Sequence, residues 1–457
     1  MRSFKKTLHI YSKLKKDKDK FPNFFFLQSQ KLFEIIRTEK KNLNPTTANK
    51  FFGTKRIVTF FLNFLFLCRS IITFIKLILT KKSIAHYQIC INNSTEFYYD
   101  KRSKYIIDEL PQNKIYNILV VNDLTYGLKT FFKYKNPIYY LQIKYFLSFF
   151  IKKKNKQKTF ENINRELKNI INNKSIELYS RLICETELIV RFFAFFFRVI
   201  KTKKIYMIDD TRYCNEILEA SKNLNITTYA YQQGRINQYH VGIGENCFDN
   251  FILWNKYSLK KLIHLNKNYS KKKLSIIGYP LIKKKININE KSHKHQKKNL
   301  LIVAETSVDY KYLYKYFNKI FKTDNFNIFL REKKGQVVSK SLYKYKNYKK
   351  FKIDDDSDLF ISLKKNKIDL VIGTLSTILL ESWIIGVPSI VIKTNFDYGS
   401  HLYQDGLVDL VENVNDVNRV IKKNLNLTKQ EIATRRNLIW DDNFAFNRTK
   451  LRMGLDI

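Results

Sequence analysis

Glycine and proline are scarce in this 457-residue chain, which contains 12 and 6 of them. Its five cysteines, at positions 68, 90, 184, 214 and 247, lie far apart and form no CxxC pair. This spacing argues against a zinc site and a disulfide framework, so it favours a reducing cytoplasm. The first twenty residues are basic but lack the uninterrupted apolar stretch of a secretory signal, so export by that route is not predicted.

The positions of the few glycines indicate where the chemistry lies. Nine of the twelve fall between Gly234 and Gly406. The chain is rich in Lys, Asn, Ile, Phe and Tyr, which is the pattern that an A/T-rich genome imposes on codons. Because such a bias works against glycine, each remaining glycine is expected where the backbone geometry requires it. We therefore expect the functional site within this part of the chain.

Acidic residues are outnumbered by basic ones, 40 against 84, which gives a net charge of +44. Hydrophobic residues make up 44% of the chain, as in globular proteins, and this excludes wholesale disorder. The cations are spread along the whole chain, so they indicate attraction to anionic surfaces in general. If the protein is not an enzyme, RNA binding is the function that this composition suggests. Lys and Tyr alternate in segments such as 310–317, and such residues neutralise phosphates and stack on bases. Nucleic acid is not the expected partner.

The length predicts two sizeable cores. After a basic, apolar-rich beginning, short strand patterns alternate with helix patterns, which is typical of an α/β protein with parallel sheets. The predicted organisation is a helical N-terminal region (1–82), a first Rossmann-like domain (83–284), a linker (285–299), a second Rossmann-like domain (300–425) and a helical C-terminal tail (426–457).

Strands of the first domain end on acidic residues. The sequence predicts strands over Ile115–Asp123 and Lys204–Asp210, and the second is followed by a helix over Thr211–Asn223 and a strand over Ile226–Tyr231. This is a β-α-β unit with polar groups at the carboxyl ends of its strands. The second domain is predicted to have five strands with crossover helices, over 300–306, 327–331, 351–354, 370–373 and 389–393.

The segment Asp369–Lys393 has a polar residue or glycine wherever a binding turn needs one. A strand leads into a tight turn, and Ser376 or Thr377 caps the next helix, whose first amides lack partners within the helix and attract anions. Glu381 lies four residues after Thr377 on the same helix face, where its carboxylate suits a ribose diol. Gly386 is expected to end the helix in a left-handed turn. An ordinary capped helix without a ligand is the alternative.

The spacing G-x-x-S-T-x-x-x-E-x-x-x-x-G-x-P in this segment resembles the donor-binding segment of GT-B glycosyltransferases. Related patterns occur in capsule and lipopolysaccharide glycosyltransferases, bacterial sialyltransferases and polyol-phosphate transferases. Tyr231–His240, Phe248–Leu262 and Ile276–Pro280 are similar, in order, to the Gln-His-Gly segment, the strand–helix unit and the Gly-x-Pro turn of these families. Gln233 stands where they have the histidine. The resemblance covers residues 204–410.

The resemblance implies an α/β GT-B fold, in which two Rossmann-like domains with parallel sheets face a cleft. It implies a glycosyltransferase that moves a sugar from a nucleotide-sugar donor to a cell-surface polysaccharide or lipid-linked acceptor. No cofactor is expected, and no metal ion is obligatory for such a transfer. A polyol-phosphate transferase using the same pocket and a sugar-nucleotide epimerase with a similar Ser-Glu helix are the alternatives.

The candidate site residues follow from the motif and the resemblance together. Arg331 and Lys333 would supply cations to the leaving phosphate, although many relatives have Lys- or Arg-x-His-Pro here and this chain reads Arg-Glu-Lys-Lys-Gly. The full set expected to hold the donor is Gln233, Gly234, Arg331, Lys333, Gly373, Ser376, Thr377 and Glu381. The candidates for the base that takes the acceptor's proton are Asp123, Asp209, Asp210, His240 and Glu245.

The acidic run 354–358 and the loop 397–406 have more than one interpretation. Clustered carboxylates attract a divalent cation. The preferred interpretation is that Asp356 or Ser357 caps a helix that starts at Asp358, near the positive end of the helix dipole. The glycines of the loop make it a candidate cover for the donor.

Three apolar runs bear on membrane association. Ile57–Thr80 is long enough to span a bilayer, but Arg69 lies near its centre and Lys76 near its end, so a buried helix is preferred. Phe192–Ile200 is too short to span and has flanking cations, as in an interfacial anchor, and Phe146–Lys154 is similar. Together they predict a cytoplasmic protein on the anionic inner face of the membrane, with plain core packing as the alternative.

Overall fold

The computed structural model describes residues 2–38, 56–92, 97–99, 104–121, 124–208, 214–244, 247–282, 297–303, 310–323, 325–332, 350–356, 358–394, 399–440 and 445–457. The chain forms two units, and both have the predicted α/β class. The first consists of Met1–Leu253, Leu259–Ile276 and Asn447–Ile457, and the second of Trp254–Ser258 and Ile277–Phe446. The predicted C-terminal tail 426–457 is thus divided between the units, and most of the predicted linker lies outside the described residues.

The described part of the first unit contains an eight-stranded sheet. Its strands are β1 (Ile84–Asn92), β2 (Phe97–Tyr99), β3 (Ile115–Val121), β4 (Pro137–Tyr139), β5 (Lys204–Ile208), β6 (Thr227–Tyr231), β7 (Asn250–Leu253) and β8 (Leu274–Ile276). Seven run parallel in the order β4-β3-β1-β5-β6-β7-β8, and β2 pairs antiparallel with β1. The predicted strands 115–123, 204–210 and 226–231 correspond to β3, β5 and β6.

The second unit has six parallel strands in its described residues. They are β9 (Lys298–Val303), β10 (Phe326–Arg331), β11 (Phe351–Asp354), β12 (Leu370–Gly373), β13 (Ser389–Ile392) and β14 (Asp409–Val411), in the order β11-β10-β9-β12-β13-β14. The five predicted strands are confirmed, but the predicted count is wrong. The sixth strand is only three residues long, which is too short to show a periodic pattern.

Seventeen α-helices surround these sheets in the described part of the chain. They are α1 (Phe4–Lys16), α2 (Ser29–Thr38), α3 (Arg56–Thr80), α4 (Lys104–Ile107), α5 (Leu124–Lys133), α6 (Tyr140–Ser148), α7 (Lys153–Leu167), α8 (Asn173–Ile200), α9 (Cys214–Ser221), α10 (Lys256–Leu265), α11 (Tyr310–Phe321), α12 (Leu359–Lys365), α13 (Ile378–Glu381), α14 (Ser400–Gln404), α15 (Val417–Leu425), α16 (Lys429–Ile439) and α17 (Arg448–Leu455).

The N-terminal helices are part of the first unit's core. Rings from α1, the following 3₁₀ turn and α2 form a buried cluster with residues of α7 and α8. Phe25 stacks on Phe21 and meets Tyr179 of α8 edge-on, and the Tyr179 hydroxyl donates a hydrogen bond to the Phe25 carbonyl at 2.7 Å. The predicted helical character of residues 1–82 is confirmed in their described part.

The apolar runs are used in two different ways. The buried-helix interpretation of 57–80 is wrong, since α3 buries one stripe and exposes eight large apolar side chains. By contrast, the run 192–200 lies within α8 and is mostly core, with Phe193, Phe196 and Phe197 buried and Phe195 exposed. An interfacial anchor is therefore not the main role of that second run.

A buried charged cluster joins the N-terminal region to the helices of the sheet. Oε1 of Glu216 on α9 accepts hydrogen bonds from the side chains of Gln28, Lys144 and Thr186, at 2.6, 2.9 and 2.9 Å. Burial raises the Glu216 pKa well above its usual range and lowers the Lys144 pKa to about 8. Because buried charged and polar groups are costly without partners, these bonds specify how four segments pack together.

His86 makes stability depend on pH. It is buried in β1, its Nε2 lies 3.0 Å from the Tyr231 hydroxyl oxygen, and burial lowers its pKa from 6.5 to about 3. Below about pH 6.5 the unfolded chain binds a proton here that the folded chain does not, so the free energy of unfolding decreases as pH falls, by up to about 1.4 kcal/mol per pH unit.

We expect His86→Gln, which keeps a hydrogen-bonding group beside Tyr231, to remove this contribution. Denaturant titrations of the wild type and the variant at about pH 7 and about pH 5 give the change in the free energy of unfolding with pH for each protein. Equal losses of stability on acidification in both proteins would contradict the prediction.

Candidate functional site

The turn after β12 lies where the strand order of the second sheet changes direction. β9, β10 and β11 follow one another to one side, and β12, β13 and β14 follow to the other, so β9 and β12 are neighbours. In open parallel sheets, ligands bind beyond the carboxyl ends of the strands at this switch point. The predicted residues Gly373, Ser376 and Thr377 are at this end of β12.

The helix that begins at this turn is short. α13 has four residues and continues as a 3₁₀ turn, Ser382–Ile385, before Gly386 adopts the predicted left-handed conformation with φ of 73°. The Ile378 amide lies 3.4 Å from the Ser376 hydroxyl oxygen, so Ser376 is the side chain at the cap, and Thr377 makes no side-chain cap bond. Residues 375–378 are partly exposed, so this end of the helix is not sealed under the core.

Side chains of the core hold the short helix in place. The Trp440 indole donates to the Leu380 carbonyl at 2.8 Å, and the Ser389 hydroxyl donates to the Leu379 carbonyl. The Trp383 indole in turn donates to Ser389 at 2.9 Å. In a continuing α-helix, the carbonyls of Leu379 and Leu380 would accept hydrogen bonds from backbone amides four residues later. Here side chains bind these carbonyls instead, which accounts for the early change to 3₁₀ geometry.

Glu381 is held by a tyrosine that sequence reasoning did not identify. The Tyr279 hydroxyl donates to its Oε1 at 2.6 Å, and Glu381 is 7% exposed. The Tyr279 ring is itself surrounded edge-on by Trp254, Phe360 and Trp440. The carboxylate is therefore fixed in position, which is how a group that must orient a ligand is usually supported. The Gly-Tyr-Pro segment that contains Tyr279 was the available signal, but it indicated only a turn.

Gly399, in the loop predicted over 397–406, lies against the turn after β12. It has φ of +72°, and a Cβ at this position would collide with the Thr374 carbonyl oxygen. Only glycine fits both the conformation and the close approach. Residues 395–398 lie outside the described residues, and the interpretation of this loop as a cover for the donor stays a prediction.

We expect Gly399→Ala to destabilise the second unit by about 2 kcal/mol, since it adds backbone strain and a backbone clash. Gly406→Ala is the matched control, because Gly406 has nearly the same φ, +71°, with open space around it. Comparison of the two variants by thermal unfolding separates the clash from the strain. Equal stability of both would contradict the close approach to Thr374.

Arg331 is engaged in an ion pair. It ends β10, and its guanidinium pairs with Asp354, which faces it across the parallel β10–β11 register. Asp354 is buried and also accepts a hydrogen bond from Ser362 at 2.7 Å. β9 lies between β10 and β12, so the backbones of Arg331 and Gly373 are roughly 10 Å apart. This partner explains the arginine structurally, and its predicted phosphate role stays a prediction.

Asp356 and Asp358 of the acidic run also have protein partners. Asp358 caps α12 by accepting hydrogen bonds from the amides of Phe360 and Ile361, at 2.8 and 3.0 Å. The predicted cap, Asp356 or Ser357, is therefore wrong by one or two positions, and Asp356 instead lies 3.4 Å from the Lys365 ammonium. An aspartate at the cap bonds two of the unpaired amides of the helix, which favours the capping interpretation of this run.

Three predicted site residues of the first unit are described by the structure, and all lie in the loop after β6. They are Gln233, Gly234 and His240. The Gln232 side chain donates to the Gly234 carbonyl at 2.7 Å and so shapes the Gln-Gln-Gly turn, where Gln233 and Gly234 are partly exposed. Burial and the charge of Arg235 lower the pKa of His240 to about 4. This histidine is therefore neutral at physiological pH, as a base must be, but it is a weak base.

Five of the predicted site residues lie outside the described residues, namely Asp123, Asp209, Asp210, Glu245 and Lys333. Asp123 follows β3, which ends at Val121, and Asp209 and Asp210 follow β5, which ends at Ile208. β1 lies between these two strands in the sheet. Their roles stay predictions.

The sequence matches no protein-family model and no curated protein sequence. Its structure is similar to that of the calicheamicin glycosyltransferase CalG4, with 8% identity and a TM-score of 0.50 over 82% of this chain and 98% of the other. The lipopolysaccharide outer core galactosyltransferase WaaB matches with 11% identity and a TM-score of 0.45, over 82% and 99% of the two chains. UDP-GlcNAc 2-epimerase from Methanocaldococcus jannaschii matches with 13% identity and a TM-score of 0.47, over 81% and 98%.

At such low identity the likeness concerns the fold, and it is the CalG4 comparison that supports it. Two α/β units with parallel sheets, of seven parallel strands and of six among the described residues, account for the match. The chain therefore has the GT-B fold that its turn after β12 led us to expect.

Proposed function

We propose that this protein is a glycosyltransferase that moves a sugar from a nucleotide-sugar donor to an acceptor hydroxyl. The observation that carries the proposal is the turn after β12, which is partly exposed, lies at the switch point of the second sheet and is followed by a fixed carboxylate, Glu381. Anionic phosphate and a ribose diol are the ligand groups that suit an open helix start and a carboxylate one turn later.

The residues of this turn divide the work of holding the donor. The Ser376 oxygen accepts from the Ile378 amide, so its hydroxyl proton is directed elsewhere and can be donated to a phosphate oxygen. Thr377 and the first amides of α13 would add further donors, and Glu381 would accept hydrogen bonds from the ribose. Gln233 and Gly234 of the first unit, with Arg331 and Lys333, complete the proposed set.

Transfer requires a base for the acceptor hydroxyl and stabilisation of the leaving phosphate. The base is proposed among Asp123, Asp209, Asp210, His240 and Glu245, and the phosphate is stabilised by dipoles and cations of the chain. In this proposal transfer needs no metal ion, so it should persist when EDTA is present.

The acceptor is proposed to be a saccharide or a lipid-linked saccharide, as in the assembly of capsule or lipopolysaccharide. The enzyme would then work in the cytoplasm on the inner face of the membrane. The exposed apolar face of α3 supports this location, because a surface of this kind marks an interaction site.

A thermal-shift screen of the full-length protein with UDP, CMP, GDP and their sugar conjugates tests the proposal. At about 100 times its dissociation constant, a bound nucleotide should raise the free energy of unfolding by about 2.7 kcal/mol. Assays with the best conjugate then separate the activities, since transfer needs an acceptor, an epimerase converts the conjugate alone and a polyol-phosphate transferase prefers a nucleotide-linked polyol. No stabilisation by any of these ligands would contradict the proposal, as would a salt-sensitive complex with RNA as the sole binding activity.

A further inference from the structure

α3 presents its more apolar side outward, which is the reverse of a normal surface helix. Its described buried stripe contains two polar residues, Ser70 and Thr73, with Phe66 and Leu77. The exposed large apolar residues are Phe60, Phe61, Phe64, Ile71, Ile72, Ile75, Ile78 and Leu79. At 100° per residue these eight positions fall within an arc of about 120°, opposite the buried stripe. We call this arc the α3 apolar face.

The buried stripe attaches α3 firmly to the first unit. The Ser70 hydroxyl oxygen accepts a hydrogen bond from the backbone amide of Tyr139 in β4 at 3.0 Å. The Phe66 ring meets the Tyr139 ring edge-on, with centroids 4.5 Å apart. By length and composition, Phe60–Thr80 is also long and apolar enough to cross a membrane. To do so, the helix would have to give up these contacts with the sheet.

Neighbouring helices flank the α3 apolar face on both sides. The Arg69 guanidinium lies over the Phe131 ring of α5, 5.2 Å from its centroid, so this charge points away from the face. On the other side Phe74 packs against Phe196 of α8, with centroids 5.1 Å apart. Phe132, which follows Phe131, and Phe195, which precedes Phe196, are both exposed.

Among the described residues of α3, α5 and the C-terminal part of α8, the charges have one sign. α3 and α5 contain no acidic residue, and α8 contains none after Glu187. Exposed cations occur near the face at Lys76 of α3, Arg198 of α8 and Lys201. An apolar face with basic residues beside it is complementary to anionic lipid headgroups over an acyl layer.

We propose that α3 lies flat along the surface of an anionic bilayer, with its apolar face in the boundary between headgroups and acyl chains. The helix remains packed on the sheet and does not cross the membrane. This inference deepens the membrane location proposed above, but binding to lipid does not depend on sugar transfer. Its failure therefore leaves the proposed enzyme activity to be judged separately.

Flotation of the full-length protein with vesicles tests the binding. The protein should float with vesicles that contain phosphatidylcholine and about one-third phosphatidylglycerol, and much less with phosphatidylcholine alone. Ile72→Glu/Ile75→Glu should lower the partition coefficient roughly a hundredfold, since two large apolar side chains no longer enter the boundary. Leu438→Glu/Met453→Glu is the matched control, because both residues are exposed apolar positions on other helices, and it should bind like the wild type.

Tryptophan quenching by brominated lipids distinguishes a flat helix from a spanning one. The three native tryptophans are buried, so Phe64→Trp, Ile71→Trp and Ile78→Trp each add one reporter on the same face. A flat helix gives the same shallow depth for all three, whereas a depth that changes along the helix would overturn the proposal. It would also be overturned by equal binding of Ile72→Glu/Ile75→Glu and wild type, or by a dimer that forms through this face without vesicle binding.

Discussion

Replacing Asp354 by alanine is expected to lower the free energy of unfolding by about 3–5 kcal/mol. The Arg331 side chain is only 13% exposed, so the substitution leaves a largely buried guanidinium without its carboxylate partner. It also removes the acceptor of the Ser362 hydroxyl bond. Chemical denaturation, followed by a probe in the second unit, measures the loss.

Asp356→Ala is the matched control from the same acidic run. Its partner Lys365 is 66% exposed, so losing this ion pair should cost less than about 1 kcal/mol. The double variant Arg331→Met/Asp354→Leu should recover much of the stability that Asp354→Ala loses, because no buried charge is left alone. Equal effects of the two single alanine variants would show that the Arg331–Asp354 pair does not stabilise the fold.

Glu381→Ala is expected to weaken binding of the best nucleotide by about tenfold to a hundredfold, the effect of losing charged hydrogen bonds to a ribose. Calorimetric titration of the full-length protein measures this change. A deoxyribose version of the same nucleotide should lose little further affinity in the variant, because the carboxylate that distinguishes the two sugars is gone.

Tyr279→Phe separates a binding role of Glu381 from a purely structural one. It removes the hydroxyl that donates to Glu381 and leaves the carboxylate in place. If Glu381 binds the ribose, Tyr279→Phe should weaken binding much less than Glu381→Ala. Equal affinity for the nucleotide in wild type and Glu381→Ala would rule out the ribose assignment.

The second unit was predicted well because its elements are short, regular and strongly apolar. The predicted strands over 351–354 and 370–373 agree with the structure to the residue. β14 was missed because three residues carry no period. The cap of α12 was misplaced by one or two residues, since several neighbouring Asp and Ser residues have similar capping propensities.

Long-range partners could not be predicted from the sequence. Tyr279 and Glu381 are separated by 102 positions, and their contact depends on how two segments pack. Arg331 pairs with Asp354 because β10 and β11 are neighbours and their register places these two residues opposite each other. The apolar run of α3 was assigned to the core because Arg69 and Lys76 argued against a membrane span. The sequence pattern shows which residues share a face of a helix, but it does not show what that face meets.

A crystal structure of the full-length protein with the most stabilising nucleotide tests the central claim most directly. We predict a phosphate oxygen within hydrogen-bond distance of Ser376 or the first amides of α13, and ribose hydroxyls against Glu381. A nucleotide bound away from the turn after β12 would contradict the account of this site, even if sugar transfer were observed.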